Sequence, residues 1–268
     1  MAVHLAPPLT PAQLAGFGRD GYAIVRALFS PDDLREIMGE CESLHERGEI
    51  PGCFKAVPAA EAADPLEHYP RMLYPHRVSP TLMGYMLHPP LEPILRALLG
   101  ETPIAAQSMF YWKPPGARGQ AFHQDNFYLR VHPGTCLAAW VAVDRADEDN
   151  GCLFVAPGSQ HLDVFCPEED ADLEVSYTRH IVPVPEGLEE VPVVLDPGDV
   201  LFFGGNLIHG SRPNRTAGRF RRSFICHYVG ESAQEIGRQD LHRFDHTELR
   251  LAEATGAGPC GEYEARPH

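Results

Sequence analysis

Val191-Pro192-Val193-Val194-Leu195, then Asp196-Pro197-Gly198-Asp199, then Val200-Leu201-Phe202-Phe203: two short apolar runs around a four-residue turn decide the fold class of this chain. The runs are too short for helices, rich in β-branched and aromatic side chains, and bounded by Pro, Gly and Asp, which is how strands are punctuated. The turn between them launches the second strand. The same texture repeats outward from Pro103, in the runs 103–112, 136–143, 152–156 and 220–229, each separated from the next by Gly, Pro, Asn and Asp clusters. Asn150-Gly151 and Pro157-Gly158-Ser159 read as turn chemistry with an architectural role, because glycine and asparagine supply the positive φ of tight hairpins. Many short strands spaced by turns predict a barrel or jelly roll, a mainly β fold with packed helices.

Upstream the period changes. Thr10-Pro11-Ala12-Gln13 is a capping box with proline at the first helical position, opening a helix that ends near Asp20-Gly21. A strand is expected over Tyr22–Leu28, then a helix from Ser30-Pro31 whose Leu34, Ile37, Met38, Cys41 and Leu44 form a core-facing stripe. Residues 51–78 read as irregular, and 79–100 as two helical pieces broken at Pro89-Pro90 and closed by Gly100. The polar tail after about Arg238 is expected to be a helix or a surface strap. The reading is one domain over 1–268, with a helical support at 1–100, a β core at 101–230 and a C-terminal strap at 231–268.

Composition narrows the function classes. A formal net charge of -15 repels a phosphate backbone, and no basic run interleaved with aromatics offsets it, so nucleic acid is not expected as a partner. By steering, the acidic surface favours a cationic substrate. No apolar run approaches the roughly 20 residues that span a bilayer, and the N-terminus lacks a basic start followed by an apolar stretch, so neither membrane nor export is expected. The seven cysteines are scattered and never in a CxxC pair, which predicts free thiols in a cytoplasmic protein rather than a disulfide framework or a zinc knuckle.

His123-Gln124-Asp125 puts an imidazole and a carboxylate two positions apart, and an extended backbone there sends both side chains off one face. A third ligand, His209, stands just past the apolar run that ends at Phe203, where a barrel can bring it beside His123. Two histidines and one carboxylate are the ligand set of non-haem Fe(II) oxygenases and leave open positions on the metal, whereas a cysteine shell would point to zinc. His161, His180 and His227 read as ordinary core or surface residues, and Asp245-His246 as a solvated face.

If 2-oxoglutarate chelates such a metal by its keto acid end, its distal carboxylate must be neutralised inside the barrel. The strand entered through Arg219-Phe220-Arg221-Arg222 can turn only one parity inward. Arg221 is the choice, with the Ser211 hydroxyl beside it, while Arg219 and Arg222 give the strand a solvated edge.

Three stretches together resemble the phytanoyl-CoA dioxygenase family of iron and 2-oxoglutarate oxygenases. They are Gln107-Ser108-Met109 through Lys113-Pro114-Pro115 to His123-Gln124-Asp125; Ala139-Trp140-Val141-Ala142-Val143-Asp144 through Asn150-Gly151 to Pro157-Gly158-Ser159; and Gly198-Asp199-Val200-Leu201-Phe202-Phe203 to His209-Gly210-Ser211. The resemblance implies a double-stranded β-helix, iron at His123, Asp125 and His209, and co-substrate contacts from Arg221, Ser211, Trp140, Met109 and Gln107. The loop before the strand arginine is one residue longer than the common family pattern, which leaves Arg222 as the alternative to Arg221. The implied reaction couples oxidative decarboxylation of 2-oxoglutarate by O2, giving succinate and CO2, to oxidation of a substrate C–H bond. Tyr111, Asn126, Tyr128, Arg130 and Asn206 are the expected substrate-lining residues, a polar and aromatic mix that suits a cationic or hydroxyl-rich compound. The expected role is tailoring of a natural product, such as a sugar-containing or aminoglycoside antibiotic, by hydroxylation or oxidative ring closure. The alternatives are a lipid or acyl-CoA hydroxylase of the same family, and a cupin-like metal- or ligand-binding module.

Overall fold

The short apolar runs become the strands of two facing antiparallel sheets in the computed structural model, which describes residues 9–254 and 260. In chain order these strands are β1 (Tyr22–Val25), β2 (Met72–Leu73), β3 (Pro103–Tyr111), β4 (Gln120–His123), β5 (Leu137–Ala142), β6 (Leu153–Val155), β7 (Val191–Val193), β8 (Val200–Gly204), β9 (His209–Ser211), β10 (Ser223–Gly230), β11 (Leu241–His242) and β12 (Glu248–Leu249). The large sheet runs β1-β8-β5-β10-β3-β11-β12, with β2 also on β3, and the small one runs β4-β9-β6-β7. This is a jelly roll, as the strand pattern predicted and as the double-stranded β-helix implied by the resemblance required.

Why the runs are apolar without alternation follows from the register. Trp140 stands opposite Leu201 and Ile225, and Ile225 opposite Met109, so these residues share the inner face of the large sheet. There they pack on Leu153, Phe154, Val155 and Val193 of the small sheet. The residues between them, Ala139, Phe202, Phe224, Cys226 and Tyr228, turn outward into a second core built with the helices. A strand covered on both faces has no solvent side on which to place polar residues.

The helices form that outer cover. Pro11–Asp20 starts at the Thr10/Gln13 capping box and stops at Gly21, whose φ of 83° is left-handed. Pro31–Glu46 buries Leu34, Ile37, Cys41 and Leu44, with Met38 half-buried at the margin of the stripe. Pro80–Met86 and Leu91–Leu99 flank the Pro89-Pro90 break, and Gly100 closes the second at φ 75°.

Three expectations are corrected. Strand β1 ends at Val25 rather than Leu28, because Ala27 takes a φ of 49° and its N–H turns to the Asp199 carboxylate. The tail makes no helix within the described residues: β11 and β12 extend the large sheet, and Ala252–Glu253 runs parallel to Glu235–Ile236. Cys166 and Cys260 are joined in a disulfide, against the expectation of free thiols, while Cys41, Cys53, Cys136, Cys152 and Cys226 are free and buried. No helix among the described residues is long and apolar enough to cross a membrane.

Candidate active site

β4 and β9 are neighbours in the small sheet, and their register sets His123 directly opposite His209. The backbone stays extended through Gln124, then turns into the short helix Asp125–Leu129, so Asp125 sits at a strand-to-helix corner rather than within a strand. Gln124 is fully buried on the opposite side. Its amide donates to the carbonyls of Asn206 (2.8 Å) and Asp163 (3.2 Å) and its Oε1 accepts from Phe165 N–H (2.8 Å), which ties the corner to the loop leading into β9.

The ligand atoms of His123, Asp125 and His209 all lie within 4.8 Å of one another, and all three residues are buried. Nδ1–H of His123 donates to Ala121 O (2.9 Å) and Nδ1–H of His209 to Leu207 O (3.0 Å). Each backbone carbonyl fixes the tautomer, leaving an Nε2 lone pair aimed at the shared point. The two Nε2 atoms stand 3.5 and 3.7 Å from Asp125 Oδ1, and Gln120 Nε2 donates to that of His123 at 3.1 Å. Burial, with His123 adding to it, pulls the His209 imidazole down to about 4, so it is neutral near pH 7. Burial alone would raise the Asp125 carboxyl, but the facing His209 and His227, with the hydrogen bond from His227, hold it well below the usual carboxylate range. Two neutral imidazoles and one carboxylate are what a ferrous ion requires, so the donor set fits that metal.

His227, read from the sequence as an ordinary histidine, belongs to the site. It stands on β10, is 1% exposed, and its Nε2–H donates to Asp125 Oδ2 at 2.9 Å, while its Nδ1 is buried without a partner among the described residues. One carboxylate oxygen is thereby occupied and the other faces the two imidazoles.

Two cavities meet at the triad. The smaller, about 360 Å³, is lined by Trp140, Ser211, Arg221 and Lys113. Arg221 is 3% exposed; its guanidinium donates to Gly151 O (3.1 Å) and Ser223 Oγ (3.0 Å) and lies 5.2 Å from the Trp140 ring centre. It has no carboxylate partner among the described residues, and burial lowers it to about 10. Arg222 turns the other way, into a two-pronged pair with Asp144 at 2.7 and 2.8 Å. Lys113, which sequence reading passed over, is 4% exposed and donates to Ser211 Oγ at 2.9 Å. Ser211 Oγ also accepts from Gln120 N–H (3.2 Å). Burial, with Arg221 nearby, pulls the Lys113 amine well below the usual lysine range. Gly151 has a second use beyond its turn: with φ +79°, any Cβ there would meet Lys113 Cε at 2.6 Å and Arg212 O at 2.3 Å. Two buried cations and a serine hydroxyl, with no acid among them, suit a guest carboxylate.

The larger cavity, about 860 Å³, is lined by Gln107, Tyr128 and Arg130 together with Tyr74, Arg77 and the segment 237–240. Met109, Tyr111, Gln120 and Arg71 line both cavities, as do His123, Asp125 and His227. Gln107 is therefore on the larger cavity rather than among the groups around Arg221, with its amide donating to Tyr74 Oη at 3.1 Å. Asn126 and Asn206 line neither cavity: Asn126 Oδ1 accepts from Val131 N–H (3.0 Å), and Asn206 Oδ1 accepts from Thr135 Oγ (3.0 Å). Asn126 is engaged by its own turn and Asn206 by a residue 71 positions away in sequence, uses that the spacing from the metal residues could not distinguish.

Residues 17–223 match the family model described as phytanoyl-CoA dioxygenase. The chain is 28% identical over 240 residues to the peroxisomal phytanoyl-CoA dioxygenase of Mus musculus, covering 85% of this chain and 70% of the mouse protein. It is 29% identical over 155 residues to dioxygenase lolE1 of Epichloe uncinata, 58% of this chain and 57% of that protein. Its fold is similar to that of the epimerase SnoN in complex with Fe3+, α-ketoglutarate and nogalamycin RO (TM-score 0.64, 22% identity, 83% of this chain and 84% of that one). It is likewise similar to EctD from S. alaskensis with 2-oxoglutarate and 5-hydroxyectoine (TM-score 0.66, 23% identity, 87% and 80%).

Proposed function

Because the chain belongs to the phytanoyl-CoA dioxygenase family, we propose that it uses Fe(II), 2-oxoglutarate and O2 to oxidise a C–H bond of a hydroxyl-bearing small molecule in natural-product biosynthesis. The observation that carries this reading is the meeting of His123, Asp125 and His209 at the junction of two cavities, one sized and charged for a small dicarboxylate. Bound iron and 2-oxoglutarate together supply, from O2, the oxidant for an unactivated C–H bond, with succinate and CO2 as co-products.

The chain's own residues do the rest. His123 and His209 offer neutral nitrogen ligands in tautomers fixed by the carbonyls of Ala121 and Leu207, and Asp125 offers the oxygen that His227 leaves open. Arg221, Lys113 and Ser211 neutralise and orient the distal carboxylate of the co-substrate, with Trp140 flooring Arg221 and Met109 shared by both compartments. Ser211 Oγ already accepts two hydrogen bonds, so its own hydrogen is the one to donate to the guest. Tyr111, Tyr128 and Arg130 line the compartment that takes the substrate, whose hydrogen-abstraction site faces the metal.

Two features favour natural-product tailoring over acyl-CoA hydroxylation. The larger cavity has arginine, tyrosine and glutamine walls, with Leu73, Met109 and Leu129 as its few large aliphatic contributors. SnoN and the carbocyclase SnoK, both similar in fold, are enzymes of nogalamycin biosynthesis. The test is O2-dependent succinate formation by the Fe(II)-loaded protein supplied with 2-oxoglutarate. The wild type forms succinate and Asp125→Ala does not; equal rates in the two proteins overturn the reading, and no succinate from either leaves a binding module.

A further inference from the structure

The chain as a whole carries 37 acidic and 22 basic residues, yet the wall of its larger cavity has the opposite bias. Four arginines line it, Arg71, Arg77, Arg130 and Arg238, against Asp125, Asp240 and Glu253. Asp125 is committed to the histidine cluster, and Asp240 is paired with Arg77 at 2.9 Å. Among the described residues lining the cavity, Glu253 is left to answer Arg71 and Arg238.

The two ends of this wall differ. Arg71 lines both cavities and therefore stands beside the triad; it is half-buried, and among the described residues its side chain donates only to the neutral Tyr111 Oη, at 3.0 Å. A guanidinium withdrawn from water with no carboxylate opposite it is costly unless an anion completes it. Arg238, on the segment that only the larger cavity includes, is exposed and makes no ion pair or hydrogen bond among the described residues. Arg130 lies on the corner just past the Asp125–Leu129 helix, in a left-handed conformation with φ 52°. Guanidinium forks match carboxylate and phosphate oxygens two at a time, and a cationic cleft in an acidic molecule concentrates anions against the overall field.

We infer that the substrate of this site carries an anionic group, a carboxylate or a phosphate, held by the arginines of the larger cavity while the carbon to be oxidised faces the triad. The inference rests on the oxygenase reading and replaces the cationic substrate class suggested by net charge, aminoglycosides included. Global charge describes the outer surface, whereas the substrate meets only the lining.

The test uses the Zn(II)-loaded, 2-oxoglutarate-bound protein, which cannot turn over, and four probes of one size: glucose, glucosamine, glucuronate and glucose 6-phosphate. Binding is read by saturation-transfer NMR, and 2-oxoglutarate affinity is measured separately by calorimetry. Glucuronate or glucose 6-phosphate should bind at least about tenfold tighter than glucose and glucosamine, the scale of one charge-assisted hydrogen bond, and whichever leads identifies the oxoanion. Arg238→Glu, at an exposed position, should abolish that preference, and Arg71→Met should reduce it about tenfold, each with 2-oxoglutarate affinity retained. Equal binding of all four probes, tighter binding of glucosamine, or an anion preference that survives Arg238→Glu and Arg71→Met overturns the inference. If Arg71→Met instead weakens 2-oxoglutarate while the anion probes bind as before, Arg71 serves the co-substrate and the inference is overturned at that residue. Failure of the wild type to bind 2-oxoglutarate at all would count against the oxygenase reading itself.

Discussion

Asp125 has two oxygens and a different task for each: Oδ2 takes the hydrogen bond of His227, and Oδ1 faces the two histidines. A group that orients a metal ligand in this way typically governs affinity by one to two orders of magnitude. His227→Ala is therefore expected to weaken Mn(II) binding about 10- to 100-fold, with His227→Gln restoring part of it, as calorimetry would show. Unchanged affinity in His227→Ala would remove it from the site. For the co-substrate, Arg221→Met should weaken 2-oxoglutarate roughly 10- to 100-fold, the range for losing hydrogen bonds to a charged group. Arg222→Met, which breaks pairs with Asp144 and Glu42 on the side away from the cavity, should leave that affinity within about twofold. Equal losses in both variants would contradict the assignment. The parity argument could separate these two arginines from sequence, because neighbours on a strand face opposite ways. His227 and Lys113 were not legible in that way. The first depends on which strand pairs with β5 and β3, and the second on a side chain crossing Gly151 from a distant loop.

At the scale of elements, strand boundaries were legible because each apolar run ends in a Gly, Pro or Asp that cannot continue it. The strands that were read differ by a few residues at most, β5 spanning Leu137–Ala142 within the expected 136–143 and β10 Ser223–Gly230 against 220–229, whereas β2, β11 and β12 were not read as strands. Local detail around the ligands was harder to read. The Asp125 corner is a short helix where extended backbone was expected, and Asn126 and Asn206, close in sequence to the ligands, are engaged by Val131 N–H and the Thr135 hydroxyl. The turn before β8 shows how an element is positioned. The buried Asp199 carboxylate accepts from Ala27 N–H (2.9 Å) and Asp196 N–H (2.9 Å) and pairs with Arg26 at 2.6 Å, so it ties the N-terminal strand to the strand leading to His209. Asp199→Ala leaves two backbone donors without their acceptor and is expected to cost about 2–4 kcal/mol, read as a lowered denaturant midpoint. A loss under about 0.5 kcal/mol, the scale of an ordinary surface substitution, would show that the turn holds without it.

For the whole molecule, acid stability follows from histidines kept neutral. His76 is buried with Nδ1 2.6 Å from Ser108 Oγ, and burial, then Arg77 and His242, lowers it to about 3. Its folded value lies below the unfolded one, so the unfolded chain binds the extra proton as pH falls through the ordinary histidine range. Stability should therefore decline below about pH 6.5 and keep declining toward the folded value, by about 1.4 kcal/mol per pH unit from this group. His76→Gln should flatten that slope in denaturation series between pH 7 and 5; an unchanged slope would contradict the account. Net charge and cavity lining differ at this scale: the chain is acidic in total, whereas the larger of the two cavities at the triad is lined by four arginines.

The central claim is that His123, Asp125 and His209 act together on a single divalent ion, and anaerobic calorimetric titration with Fe(II) tests it most directly. The account predicts one ion per wild-type chain and loss of that binding in His209→Ala, the ligand most distant in sequence from the other two. An ion bound as tightly by His209→Ala as by the wild type would contradict it.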